Sequence, residues 1–221
     1  MKALLASTIF TKIPGGIELA EKMIGKPRAQ INVAIINEAA AVEFGDHRWA
    51  VDTMKNLADA FGGIIEIVHL MAVSKEQIRE RLNAADMIFV LGGNTDWLKI
   101  VFAQTGVSEF LPEILQNKLY AGSSAGSMIL GHQPSYKRQE KIYGAYDDFG
   151  VKSYLDLLDF SILPHCFDVK HPNRNDLAMA ESKAVEYPVY ALSDNAAVVV
   201  DGDKISIIGD DYLKLVHGKA V

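Results

Sequence analysis

Short apolar runs recur along the first half of the chain, with segments of helical periodicity between them. The runs are "KALLAS" (2–7), "INVAIIN" (31–37), "IIEIVHL" (64–70), "DMIFVLGG" (86–93) and "KLYAGSS" (118–124). Near-continuous apolarity over so few residues predicts strands buried on both faces. Between them, "HRWAVDTMKNLADAF" (47–61) and "SKEQIRERLNAA" (74–85) carry helical spacing, and Ser74 with Gln77 spells a capping box. This alternation predicts an α/β fold, a three-layer sandwich with a mostly parallel central sheet and helices on both faces.

The pattern changes after about residue 187. "PVYALSD", "AAVVVDGD", "KISIIGDD" and "YLKLVHG" are short apolar runs punctuated by Asp-Gly or Gly-Asp pairs, which predicts antiparallel hairpins at the C-terminal edge of the sheet. No repeat, low-complexity tract or Pro/Gly-rich linker divides the chain, so residues 1–221 are expected to form a single domain. The stretch 132–152 is polar and aromatic without periodicity, the pattern of a loop bordering a site.

Composition narrows the partners. A length of 221 residues with 49% hydrophobic side chains suits one sizeable core, and a net charge of −6 argues against nucleic acid, whose phosphates call for a basic surface. A small molecule or peptide is the expected substrate. The lone cysteine, Cys166, excludes an intrachain disulfide and a Cys-rich metal knuckle, which favours the cytoplasm. The N-terminal "MKALLASTIFTKIPGG" is interrupted by Thr8, Thr11 and Lys12 and reads as a first strand, not a signal peptide. No apolar run reaches the length of a spanning helix, so no membrane partner is expected.

The chemistry concentrates at strand ends. Gly122, Ser123, Ser124, Ala125 and Gly126 fit G-x-S-x-G where a strand gives way to a helix, the setting of a nucleophile elbow. On the motif alone, such an elbow and a merely close-packed corner fit equally well. "FVLGGNTDWL" (89–98) ends a neighbouring strand in Gly92 and Gly93, whose N–H groups could join that of Ala125 around an oxyanion. Asn94 and Thr95 follow, as substrate contacts or as a helix N-cap.

Among six histidines, His165 follows an apolar strand and a proline and is favoured as base; His171 is the weaker candidate, with substrate binding as its other role. Asp194, at a strand end, stands out by position as the orienting acid, although Asp in turns is often structural. Arg174, Lys137 and Arg138 are the cations in candidate loops, with solvated surface roles favoured for the last two. The spacing His165, Asp168, His171 offers too few ligands for a metal, so no metal or other cofactor is expected. Cys166, pointing away from its neighbour, is read as packing.

"LGGNT" (91–95), "GSSAGS" (122–127), "ILPHC" (162–166) and "ALSDNAAVVV" (191–200), in that order, resemble the aspartyl dipeptidase (peptidase E) family of serine peptidases, which also includes cyanophycinases. The resemblance implies a fold related to class I glutamine amidotransferases, with Ser124 as nucleophile, His165 as base and Asp194 as third member. It places the oxyanion donors at Ala125 and a glycine of "LGGNT", Gly92 foremost. The implied activity is hydrolysis of small peptides, including dipeptides with N-terminal Asp, with a homodimer left open. Two alternatives remain: an esterase using Ser124, Asp194 and His217, and a non-catalytic protein holding a small ligand through backbone N–H groups.

Overall fold

The computed structural model describes residues 1–134, 149–169 and 172–221. Its central sheet has seven strands in the order β3-β2-β4-β5-β1-β8-β9. Here β1 is Lys2–Ala6, β2 Val33–Ile36, β3 Ile65–Ile67, β4 Met87–Val90 and β5 Leu119–Ser123. These five run parallel, while β8 (Ala196–Asp201) pairs antiparallel with β1, and β9 (Lys204–Gly209) with β8. The predicted α/β architecture with a mostly parallel sheet is the one observed.

Successive strand residues serve opposite cores, as a two-fold side-chain period requires. Ala3, Leu5, Ala34, Ile36, Ile88 and Val90 pack on one face. Helices α3 (Lys75–Ala84), α4 (Thr95–Gln104) and α5 (Val107–Ile114) close that face through Ile78, Leu98, Phe102 and Phe110. Leu4, Ala6, Val33, Ile35 and Phe89 pack on the other face, against Ala20 and Met23 of α1 (Gly16–Ile24) and Leu57 of α2 (Arg48–Ala60). The capping box is formed: Ser74 Oγ accepts from the Gln77 N–H at 3.3 Å, and Gln77 Oε1 accepts from the Ser74 N–H at 3.0 Å.

The C-terminal runs divide between two sheets. β8 and β9 make the expected hairpin at the edge of the central sheet. β7 (Val189–Leu192) and β10 (Tyr212–Val216) instead join β6 (Ser161–Leu163) and β11 (Lys219–Ala220) in a second sheet of order β11-β10-β7-β6. That sheet has its own small core, in which Leu163, Val189, Ala191 and Leu215 pack with Ala178 of α7 (Arg174–Ala184). Gly209 (φ +87°) and Asp211 (φ +57°) turn the chain from β9 into β10. The third strand is also shorter than its apolar run, because His69 already caps a 3₁₀ turn at Leu70–Ala72.

In this topology β4, β5 and β1 are neighbours, so their C-terminal ends emerge side by side. Ligands of open α/β sheets bind along that rim.

Candidate active site

Ser124 sits between β5 and α6 (Ala125–Met128) at φ 48°, ψ −112°, outside the ordinary wells of an L-residue. Two contacts explain the glycines around it. A Cβ on Gly122 would lie 2.5 Å from the carbonyl oxygen of Gly126, and one on Gly126 would lie 2.0 Å from that of Val90. The bend closes only without those atoms, and β1 holds it, since the Ser124 N–H donates to Ala6 O at 3.1 Å and Ser127 Oγ donates to the same oxygen at 2.7 Å. With only four residues, α6 has little macrodipole, so its local N–H groups matter more.

β6 ends at Leu163, and Pro164 and His165 follow, the latter with φ 59°. Arg174 Nη1 donates to Pro164 O at 3.0 Å and fixes this bend. His165 Nε2 lies 3.2 Å from Ser124 Oγ, and Nδ1 lies 2.7 Å from Asp194 Oδ1. An ionised carboxylate only accepts, so Nδ1 carries the proton, and Nε2 of the neutral ring presents its lone pair to the serine hydroxyl. The bond from His165 holds the Asp194 carboxyl below its ordinary pKa, helped by the imidazole and Arg174 charges and by Ser7, and opposed by burial.

Ser7 and Thr8, just past β1, were not singled out by the sequence reading. Ser7 Oγ donates to Asp194 Oδ1 at 2.9 Å and accepts from the His165 backbone N–H at 2.7 Å, while Thr8 Oγ1 donates to Asp194 O at 2.8 Å. Their signal was available: hydroxyl residues directly after the apolar run of a parallel strand stand on the ligand rim.

The three N–H groups expected around an oxyanion, those of Gly92, Gly93 and Ala125, differ in their partners. The Gly92 N–H donates to Ser123 Oγ at 3.0 Å and is thereby occupied. The N–H groups of Gly93 and Ala125 have no acceptor among the described residues. Gly93 takes φ 129°, with Ala39 O only 2.2 Å from where its Cβ would be.

Asn94 and Thr95 serve α4 first. Asn94 Oδ1 accepts from the Trp97 N–H at 2.9 Å, and buried Thr95 donates to Met128 Sδ at 3.8 Å. Both nonetheless line a cavity of about 780 Å³, together with Ser124, His165, Gly93 and Arg174. His171, Lys137 and Arg138 lie outside the described residues.

The pairing of Asp194 with His217 is not formed, because His217 is exposed in the turn between β10 and β11, on the second sheet. Burial pushes the Cys166 thiol up to about 12, against the pull of Arg174, so it stays a neutral packing group. Among the described residues no cluster of three His, Cys, Asp or Glu side chains is placed to hold a metal ion, and no helix is long and apolar enough to cross a membrane.

Comparison with known proteins identifies the family. Peptidase family S51 is matched over residues 17–208. The uncharacterized peptidase Lmo0363 of Listeria monocytogenes serovar 1/2a is 27% identical over 202 residues, covering 91% of this chain and 95% of its own. Peptidase E of Shewanella denitrificans is 31% identical over 163 residues, 70% of this chain and 66% of its own. A crystal structure of a protein from Listeria monocytogenes EGD-e, described as a candidate peptidase E, superposes with a TM-score of 0.74 at 24% identity over 95% of this chain and 98% of that one.

Proposed function

This chain belongs to peptidase family S51 and is a serine-type peptidase, and on that premise we propose that it hydrolyses the amide bond of small peptides through Ser124, His165 and Asp194. The observation that carries the reading is the continuous relay from Ser124 Oγ to His165 Nε2 at 3.2 Å and from Nδ1 to Asp194 at 2.7 Å.

His165 Nε2 takes the proton of the Ser124 hydroxyl as its oxygen attacks the amide carbonyl. The carbonyl oxygen gains negative charge in front of the Gly93 and Ala125 N–H groups, which have no acceptor among the described residues. The C–N bond breaks as Nε2 returns the proton to the leaving amine. Water, deprotonated by the same nitrogen, then attacks the acyl carbon, and Nε2 gives that proton to Ser124 Oγ as the bond to the acyl group breaks. Asp194 holds the Nδ1 proton throughout and offsets the imidazolium charge.

Dipeptides with N-terminal Asp are the first substrates to try, since the motifs resemble those of the aspartyl dipeptidases and one relative carries the name peptidase E. Arg174 lines the same cavity as the relay, and its charge helps to lower the Asp194 pKa. The test is a panel of dipeptides, including N-terminal Asp, assayed with wild type and Ser124→Ala. Wild type is expected to cleave N-terminal Asp dipeptides, and the variant to lose about 10⁴-fold or more in kcat/KM. Equal cleavage by both proteins overturns the assignment of Ser124.

A further inference from the structure

Part of the cavity wall is made by residues with no place in the relay. Phe44 is fully exposed at 105% and Trp49 at 41%, and both line the cavity that contains Ser124. Two large apolar side chains held in water beside a reactive centre mark a surface that a ligand covers. Lys12 lines the same cavity, exposed, and no carboxylate among the described residues pairs with its ammonium.

Both walls are fixed to the site. Lys12 ends a 3₁₀ turn, Phe10–Lys12, that begins two residues after Thr8. Phe10 anchors the turn against Phe61 and Phe89, with ring centroids 6.2 and 6.4 Å away. Ser7 and Thr8 bond His165 and Asp194, so this turn leaves the site on the His165 side. The segment leading to Phe44 is tied to the glycine corner, because the Asn94 N–H donates to Ala39 O at 2.8 Å.

Chemistry then orients the substrate. His165 protonates the leaving nitrogen, so the residue after the scissile bond lies on the His165 side, and in a dipeptide that residue carries the free carboxylate. Lys12 is a cation on that side, while Asp52, which also lines the cavity, repels a carboxylate placed near it.

We propose that Lys12, Phe44 and Trp49 form the subsite for the substrate's C-terminal residue. Lys12 takes the free carboxylate and the two rings cover a large apolar side chain, so that short peptides ending in a residue such as Phe or Leu are preferred. The proposal rests on the reading that Ser124 and His165 cleave an amide.

The test separates the two claims by measuring binding without turnover. In the Ser124→Ala background, calorimetry gives Kd for the dipeptide Asp-Phe, its C-terminal amide, and Asp-Gly. Asp-Phe is expected to bind about tenfold tighter than either. Adding Lys12→Met removes the acid-over-amide preference and leaves that for Phe over Gly; adding Phe44→Ala with Trp49→Ala does the reverse.

Equal Kd values, no measurable binding of any of the three, or a Lys12→Met effect that is the same on acid and amide overturn the subsite. Selective binding by Ser124→Ala with no cleavage by wild type keeps the subsite and removes the hydrolytic reading. Cleavage by wild type with no selectivity in binding does the opposite.

Discussion

The hydroxyl of Ser7 has one proton, and it goes to the same oxygen of Asp194 that receives the His165 Nδ1 proton. That oxygen thus shares its charge between two donors, and the Ser7 oxygen pins the His165 backbone in its left-handed conformation. A hydrogen bond to a charged group contributes about 1.5–3 kcal/mol. Ser7→Ala is therefore expected to lower kcat/KM roughly 10- to 100-fold. Ser7→Thr, which keeps a hydroxyl, should restore most of the rate; a loss that Thr leaves in full contradicts the role of the hydroxyl.

Asp194 gives a second prediction at this scale. Its pKa is lowered in the folded protein, chiefly by the bond from His165. Its stabilising effect is complete above the ordinary carboxylate pKa and is lost as pH falls through the lowered value. The carboxylate is half exposed, so the effect is modest. Thermal melts from neutral pH down to about pH 3 should show a larger drop in Tm for wild type than for Asp194→Asn. An equal drop in both contradicts the linkage.

At the scale of elements, the corner between β5 and α6 depends on two missing side chains. Gly126→Ala drives a methyl to 2.0 Å from Val90 O, a backbone atom of the neighbouring strand that has no rotamer to change. Overpacking of this kind costs about 1–3 kcal/mol or more. Gly150→Ala meets nothing within 4 Å, and at φ 73° it carries only the cost of its backbone conformation, about 1 kcal/mol. Urea midpoints of the two variants should rank in that order.

The corner was legible in the sequence as a G-x-S-x-G between an apolar strand and an apolar continuation. The Gly92 N–H was not, because its acceptor is Ser123 Oγ, thirty-one residues away. Strands were legible where both faces are buried, as in the fully buried runs of β2 and β4. The departure of β7 and β10 to a second sheet was hidden, since β7 pairs with β6 and their connection crosses α7. Periodicity reports which faces are buried but not the partner that buries them.

At the scale of the molecule, β1 is the element on which both cores and the site depend. Leu4 and Leu5 are fully buried in opposite cores, and Ala6, Ser7 and Thr8 hold Ser124, His165 and Asp194 in turn. Leu5→Ala is expected to cost about 2–5 kcal/mol in urea unfolding, with kcat/KM of the remaining folded protein near wild type. A variant that stays as stable as wild type contradicts the two-core account.

Residues 7, 93, 124, 165 and 194 meet only because the C-terminal ends of five strands, β1, β4, β5, β6 and β7, converge. The motif order pointed to Ser124, His165 and Asp194, but loops that meet through folding alone, such as those carrying Lys12 and Phe44, leave no spacing to read. His217 failed for the same reason, its strand having gone to the other sheet.

The central claim is that the Ser124 hydroxyl is made nucleophilic by His165. Intact-protein mass spectrometry after exposure to a fluorophosphonate, followed by peptide mapping, tests it directly. A single adduct on Ser124 is expected, forming in wild type and slowed about a thousandfold or more in His165→Gln. An adduct on another residue, or one that forms on Ser124 as fast without the imidazole as with it, contradicts the account.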